Sequence, residues 1–112
     1  MNAADKTERV LRYLGLAAKA GKVIAGVPLI RTALARGREE RPLLIVRAAS
    51  CAKNSAERAE KCAAFYGVPI FALDCDTATL AKSVGKRESA VAAVAVCDAH
   101  LSDAILRIQN EE

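Results

Sequence analysis

The residues best placed to do chemistry lie between positions 22 and 37, KVIAGVPLIRTALARG, where a short apolar stretch breaks at Gly26 and turns directly into a helix. Gly26 can adopt backbone conformations closed to other residues, and Pro28 suits a first helical turn, where its missing N–H would have no intrahelical partner. Ile30, Ala33, Leu34 and Gly37 recur at i, i+3, i+4 and i+7 and predict a core-facing side, with Arg31 and Arg38 together on another. The start of this helix therefore sets amides without helical acceptors beside arginines, and both the amides and the macrodipole favour an anion. The plainer reading of the same stretch is a strand-to-helix turn with a solvated basic face.

Charge placement points the same way. Residues 1–61 carry 13 Lys and Arg against 6 Asp and Glu, whereas residues 62–112 carry 4 against 7, so the net +4 is concentrated in one half. Such asymmetry predicts a basic face toward an anionic partner, nucleic acid first and a membrane surface second. No stretch is long and apolar enough to span a bilayer and no signal peptide precedes the first predicted helix, so the expectation is a cytoplasmic protein without a membrane partner.

Catalytic and metal readings find little support. Cys51, Cys62, Cys75 and Cys97 are spaced 11, 13 and 22 apart, with no C-x-x-C pair and only His100 as a nitrogen ligand, a pattern too loose for zinc. Cys62 and Cys97 read as small buried hydrophobes, and Cys51 and Cys75 as surface thiols. Cys51 follows an expected strand, where an α/β nucleophile would sit, but a cysteine phosphatase loop needs an arginine six positions on, and Glu57 stands there with Arg58 one residue late. An acid at that position would repel the phosphate. There is no G-x-x-x-x-G-K-[ST] or G-x-G-x-x-G motif, and His100 has no evident Ser or Cys partner. The chain is expected not to be an enzyme and to need no cofactor or metal.

The elements that must position these residues follow from the apolar periodicity. A length of 112 residues with 53% hydrophobic residues predicts one domain with a real core and excludes disorder. Asp5 and Glu8 resemble a capping pair for a first helix to about Ala20, with Val10, Leu14 and Ala17 inward and Gly21 as the C-terminal cap. Val23 and Ile24 form a brief strand before the turn at Gly26. A charged loop from Arg36 to Arg41 leads to the continuous apolar run of Leu43, Leu44, Ile45 and Val46, a strand covered on both faces, followed by a loop from Arg47. Asn54 with Glu57 caps a third helix through Tyr66, whose core stripe is Ala59, Cys62, Ala63 and Tyr66 and which Gly67 and Pro69 end. Residues 68–73 form a third strand, and Asp76 or Thr77 starts a fourth helix ended by Gly85. Residues 90–97 form a fourth strand, and Asp98 caps a last helix with Leu101, Ile105 and Ile108 inward. The alternation predicts an α/β fold, a three-layer α-β-α sandwich with a four-stranded sheet in a single domain. Aromatic content is low and Trp is absent, so base stacking on an aromatic sheet, which would rest on Tyr13, Phe65, Tyr66 or Phe71, is not expected.

Taken in order, LGLAAKAGKVIAG (14–26), the helix ending in ARG (35–37), LLIVRAAS (43–50), KCAAFYGVPI (61–70) and LAKSVGK (80–86) resemble the kink-turn RNA-binding ribosomal protein superfamily of the L-seven-Ae and L-thirty types, most closely its bacterial YlxQ-like branch. The resemblance covers roughly residues 10–106. It implies a mixed four-stranded sheet and RNA binding by one end of the sandwich: ribosomal or other structured RNA as partner, contacts to ribosomal proteins, and a role near translation. In the family the start of the second helix enters the widened groove of a kinked RNA and reads tandem sheared G·A pairs, and two further loops hold a flipped-out nucleotide. Those segments correspond here to residues 26–32, 47–50 and 86–91. Lys22, Arg31, Arg47, Lys86 and Arg87 would then neutralise phosphates, Gly26 would let RNA approach the amides, and Val27, Ala48 and Ala90 would face a base or ribose. The family's reading motif G-x-N-E-x-x-K departs in this chain, where Pro28, Leu29 and Thr32 occupy the Asn, Glu and Lys positions; Pro and Leu cannot bond purine edges. Two rival readings share the fold: a protein-interaction module without RNA specificity of its own, marked by a salt-insensitive partner, and an accessory domain serving a separate RNA-modifying enzyme.

Overall fold

The computed structural model describes residues 2–37 and 41–111; Arg38, expected beside Arg31, and Glu39 and Glu40 of the charged loop lie outside the described residues. Nine elements alternate: α1 (Ala3–Lys19), β1 (Val23–Ala25), α2 (Val27–Arg36), β2 (Leu44–Ser50), α3 (Lys53–Tyr66), β3 (Ile70–Asp76), α4 (Thr77–Ser83), β4 (Ala93–Val96) and α5 (Ala99–Asn110).

The sheet has the order β1-β4-β2-β3. β4 runs antiparallel to both neighbours and β2 parallel to β3, so the sheet is mixed and β1, β2 and β3 all end at one edge of the molecule. Alternate residues of β2 point to opposite faces. Leu44, Val46 and Ala48 join Val10, Leu14 and Ala17 of α1, Leu80 of α4, and Ile105 and Ile108 of α5 in one core layer. Ile45 faces the other way, into a second layer with Ile30 and Leu34 of α2 and Ala59, Cys62 and Ala63 of α3. The molecule is therefore the three-layer sandwich the alternation predicts, with α1, α4 and α5 on one face of the sheet and α2 and α3 on the other. No described helix is long and apolar enough to cross a membrane.

Glycines stop the helices where expected. Gly21, at φ 72°, closes α1 in a Schellman motif: its N–H donates to the Ala18 carbonyl at 3.0 Å and the Lys22 N–H to that of Ala17 at 2.9 Å. Two amino ends differ from expectation. Asn2, not the Asp5 pair, caps α1 by accepting from the Asp5 N–H at 2.9 Å. α3 begins at Lys53 behind Ala52 with no side-chain cap, so Asn54 and Glu57 already lie within the helix.

The strands shift as well. β2 runs on through Arg47 to Ser50, where a run of small residues gives no periodic signal; pairing with Ala93 on one side and with Ala72 and Leu73 on the other holds it extended. β3 spans Ile70–Asp76, and β4 is shorter than expected, which leaves Ala90 in the preceding loop. Cys62 is buried, but Cys97 is only half-buried, and Cys51 and Cys75 are half-buried against the first core layer rather than open at the surface.

Candidate nucleic-acid interface

β1 delivers the chain to Gly26 at the carboxyl end of the sheet, and two ladder-like bonds gather the other segments there. The Gly26 N–H donates to the Ala93 carbonyl at 2.9 Å, and the Ala48 N–H donates to the Ala92 carbonyl at 2.8 Å. The turn before α2, the end of β2 and the loop before β4 are thereby held side by side, which is the convergence expected of residues 26–32, 47–50 and 86–91. Gly26 has φ 97° and ψ 136°, a conformation that an L side chain resists. The reversal into α2 depends on it.

The amino end of α2 is electrostatically open. Gly26 has no side chain to cap the helix, no acid lies in the first turn, and Pro28 contributes no N–H. With the Gly26 amide engaged by β4, the amides of Val27 and Leu29 remain as the donors that the helix itself cannot satisfy. α3 likewise starts at this end without a side-chain cap or an acid in its first turn. α4 also starts here but is closed, since the Asp76 carboxylate accepts from the Thr79 N–H at 2.7 Å. The two open helix ends thus belong to the same layer.

Between α2 and α3 lies a cleft of about 840 Å³. Gly26, Val27, Pro28 and Arg31 form one wall, and Ala90, Val91 and Ala92 close its end. The opposite wall is α3, through Ser55, Arg58, Lys61, Cys62, Phe65 and Tyr66. Arg31, Arg58 and Lys61 are exposed, none has an acidic partner among the described residues, and no acid lines the cleft. Burial raises the Cys62 thiol above its ordinary value of 9.0, and the Arg31 charge works against that rise. A buried thiol held protonated is a poor nucleophile. The arrangement is suited to holding an anion with apolar parts.

The expected site residues divide on this geometry. Gly26, Val27, Arg31 and Ala90 line the cleft together. Lys86 and Arg87 are exposed in the loop that leads to Ala90, where the Lys86 N–H caps α4 through the Ala81 carbonyl at 2.9 Å. Three expectations need correction. Ala48 is fully buried in the first core layer and faces no ligand. Arg47 is part of β2, and its Nε donates to Glu60 Oε1 of α3 at 3.0 Å, so its charge is already matched. Lys22 precedes β1 while Gly26 follows it, which puts the two at opposite ends of that strand; the Lys22 carbonyl accepts from the Cys97 N–H at 2.8 Å, away from the cleft.

Sequence reasoning missed the α3 wall. Arg58 and Lys61 pass for a solvated helical face, and Phe65, discounted with the other aromatics, lines the cleft while 81% exposed. A signal was available. Ser55, Arg58, Cys62 and Phe65 fall on one side of the helix at i, i+3, i+7 and i+10, a stripe too polar to be core throughout.

No protein-family profile and no curated protein matches the sequence. Solved structures do match in fold. A protein of unknown function from Bacillus halodurans C superposes with a TM-score of 0.77 at 20% identity, over 91% of this chain and 97% of that one. The Giardia lamblia 15.5kD RNA binding protein superposes with a TM-score of 0.74 at 13% identity, over 93% of this chain and 84% of that one. At these identities the likeness is one of fold, and it extends over nearly the whole chain.

Proposed function

We propose that this chain is a non-catalytic RNA-binding protein that grips structured RNA at the carboxyl end of its sheet. The observation that carries this reading is the meeting of an uncapped α2 start with Arg31, Arg58 and Lys61, cations that no described acid neutralises. Phosphate oxygens satisfy both the amides and the cations. The fold shared with an RNA-binding protein from Giardia lamblia supports the same partner. A cleft furnished with cations, amides and a protonated thiol favours binding over reaction.

The finer assignment we propose is the kink-turn superfamily of the L-seven-Ae and L-thirty types, on its YlxQ-like side, with cytoplasmic work on ribosomal RNA or beside ribosomal proteins during translation. Pro28 and the 62% exposed Leu29 leave the first turn of α2 without groups that bond purine edges, so recognition rests on the shape of the bent RNA and on its phosphates.

The test is a titration of an RNA containing a kink-turn beside a duplex in which Watson–Crick pairs replace its G·A pairs, each at two salt concentrations. Binding of the kinked RNA, weakening roughly tenfold or more between about 50 and 200 mM salt, is the expected result. Absence of binding to either RNA at low salt would sink the reading and leave a protein-interaction module in its place.

A further inference from the structure

We infer that the open edge of β3 takes up an extended, lysine- or arginine-bearing segment of a partner protein, which adds a strand to the sheet. The inference stands independently of RNA binding, because this edge lies on the far side of α3 from the cationic cleft.

The pairing of β3 is the observation that starts it. Among the described strands only β2 pairs with it, and its seven residues contrast with the three of β1 at the other edge of the sheet. The Ile45 N–H donates to the Pro69 carbonyl at 2.9 Å, and Ile45 is in register with Ile70. In a parallel pair this turns the Pro69 carbonyl and the backbone groups of Phe71 and Leu73 toward β2, and those of Ile70 and Ala72 outward. No described residue bonds to the outward groups, and Ala72 and Asp74 are exposed beside them. Unpaired edge groups are a template for a further strand, whose alternate side chains then supply specificity. On one face of β3, the half-buried Phe71 and Cys75 offer apolar surface to such side chains.

Charge decides the occupant. Asp74 and Asp76 stand on β3, and neither has an ion pair among the described residues. On the other face of the strand, Glu60 of α3 holds Arg47, whose register partner is Ala72, and Glu57 lies one turn earlier on the same side of the helix. Even with Lys53 at the start of α3 counted beside Arg47, these acids outnumber the cations two to one. The Cys75 thiol feels the same field: burial, and then the charges of Asp76 and Asp74, push it up to about 11, and no cation offsets them as Arg31 does at Cys62. Two copies paired edge to edge would bring two acidic shelves together, and charged edge residues are how strands resist such self-pairing. A segment alternating cations with apolar residues suits both features. Its backbone pairs with Ile70 and Ala72, and its cations meet Asp74 and Glu57.

The experiment follows the backbone amides of the protein by NMR as a short peptide of alternating lysine and valine, blocked at both ends, is added. A glutamate–valine peptide and a fully N-methylated lysine–valine peptide, which keeps the charges but has no backbone donors, serve as controls. The lysine peptide is expected to shift the amides of β3 and to bind at least about fivefold more tightly than either control. Asp74→Lys, at an exposed position, is expected to weaken the lysine peptide by about fivefold or more. Equal binding of the N-methylated peptide would mean charge attraction without strand pairing and overturns the inference. So does an unchanged affinity in Asp74→Lys, or the absence of any β3 shift at about 1 mM peptide. Dimers that form with rising protein concentration in the absence of peptide, shifting the same amides, assign the edge to a second copy and overturn it as well. None of these outcomes draws on the RNA titration, so the RNA-binding reading stands or falls separately.

Discussion

Arg47 of β2 and Glu60 of α3 are joined by an ion pair of 3.0 Å, with the arginine side chain only 21% exposed and its Nη1 also donating to the Ala48 carbonyl at 3.1 Å. This arginine sits at the end of the sheet where phosphates are expected, yet it fastens the sheet to α3. Arg31 and Arg58, which line the same cleft, have no such partner among the described residues.

The contrast separates two kinds of arginine by experiment. Arg31→Ala and Arg58→Ala should each weaken RNA binding and lower the salt slope by about 1, as the loss of one phosphate contact does. Arg47→Ala should leave the slope as it is and reduce stability by about 0.5–1 kcal/mol, the scale of a partly exposed pair. Salt-dependent titrations and denaturant unfolding of the three variants read both quantities, and a slope that falls only for Arg47→Ala would refute the assignment.

Gly26 provides a second separation, between space and conformation. A Cβ added there would approach nothing closer than the Pro28 Cδ at 4.0 Å, an ordinary contact, but φ of 97° is itself unfavourable for alanine. Gly26→Ala is therefore expected to cost about 1–3 kcal/mol through backbone strain, lowering Tm by several degrees. It should also weaken RNA binding, because relief of that strain tilts the start of α2. A variant as stable as wild type would mean that the turn has room to relax.

How far the sequence could be read depended on how local each signal was. Helix ends at Gly21, Gly37 and Gly67 were legible because a left-handed residue after an apolar stripe is a local device, as was the Asp98 cap, whose carboxylate accepts from the Leu101 N–H at 2.8 Å. Ala48 was misread because only strand pairing, not its own type, draws an Ala-Ala-Ser run into a sheet. Lys22 was misplaced for a related reason: the direction of β1 decides which end faces the cleft, and direction is a property of the whole sheet. The α3 wall escaped because Arg58 and Phe65 gain meaning only when α2 packs opposite them. Residues whose role is set by a neighbour distant in sequence are those a single chain reveals last.

Asp76 gives a prediction in pH. Hydrogen bonds from the Thr79 backbone and then from its side chain hold this carboxyl below its ordinary value of 3.8. A pKa lowered by folding adds stability above the unfolded value and loses it as pH falls through the folded one. The Tm gap between wild type and Asp76→Ala should therefore be constant above about pH 5 and shrink below about pH 4. The gap between Asp76→Asn, which still caps, and Asp76→Ala should show no such dependence. A gap that widens on acidification would mean that folding favours the protonated carboxyl, and would refute the helix-end bonds as the cause.

Ser102 supplies the last test, in the core. Its side chain on α5 is 3% exposed, and its Oγ is the one buried side-chain polar atom among the described residues without a protein hydrogen-bond partner. A hydroxyl removed from water without a partner costs about 1–3 kcal/mol, and alanine suits a helix interior better than serine. Ser102→Ala keeps almost the same shape, so the removed penalty is not offset by a large cavity. The variant should be more stable by about 1 kcal/mol in urea or guanidinium unfolding, with an unchanged m-value. A loss of stability instead would place a bridging water at this hydroxyl, since only a satisfied group is missed when it is deleted.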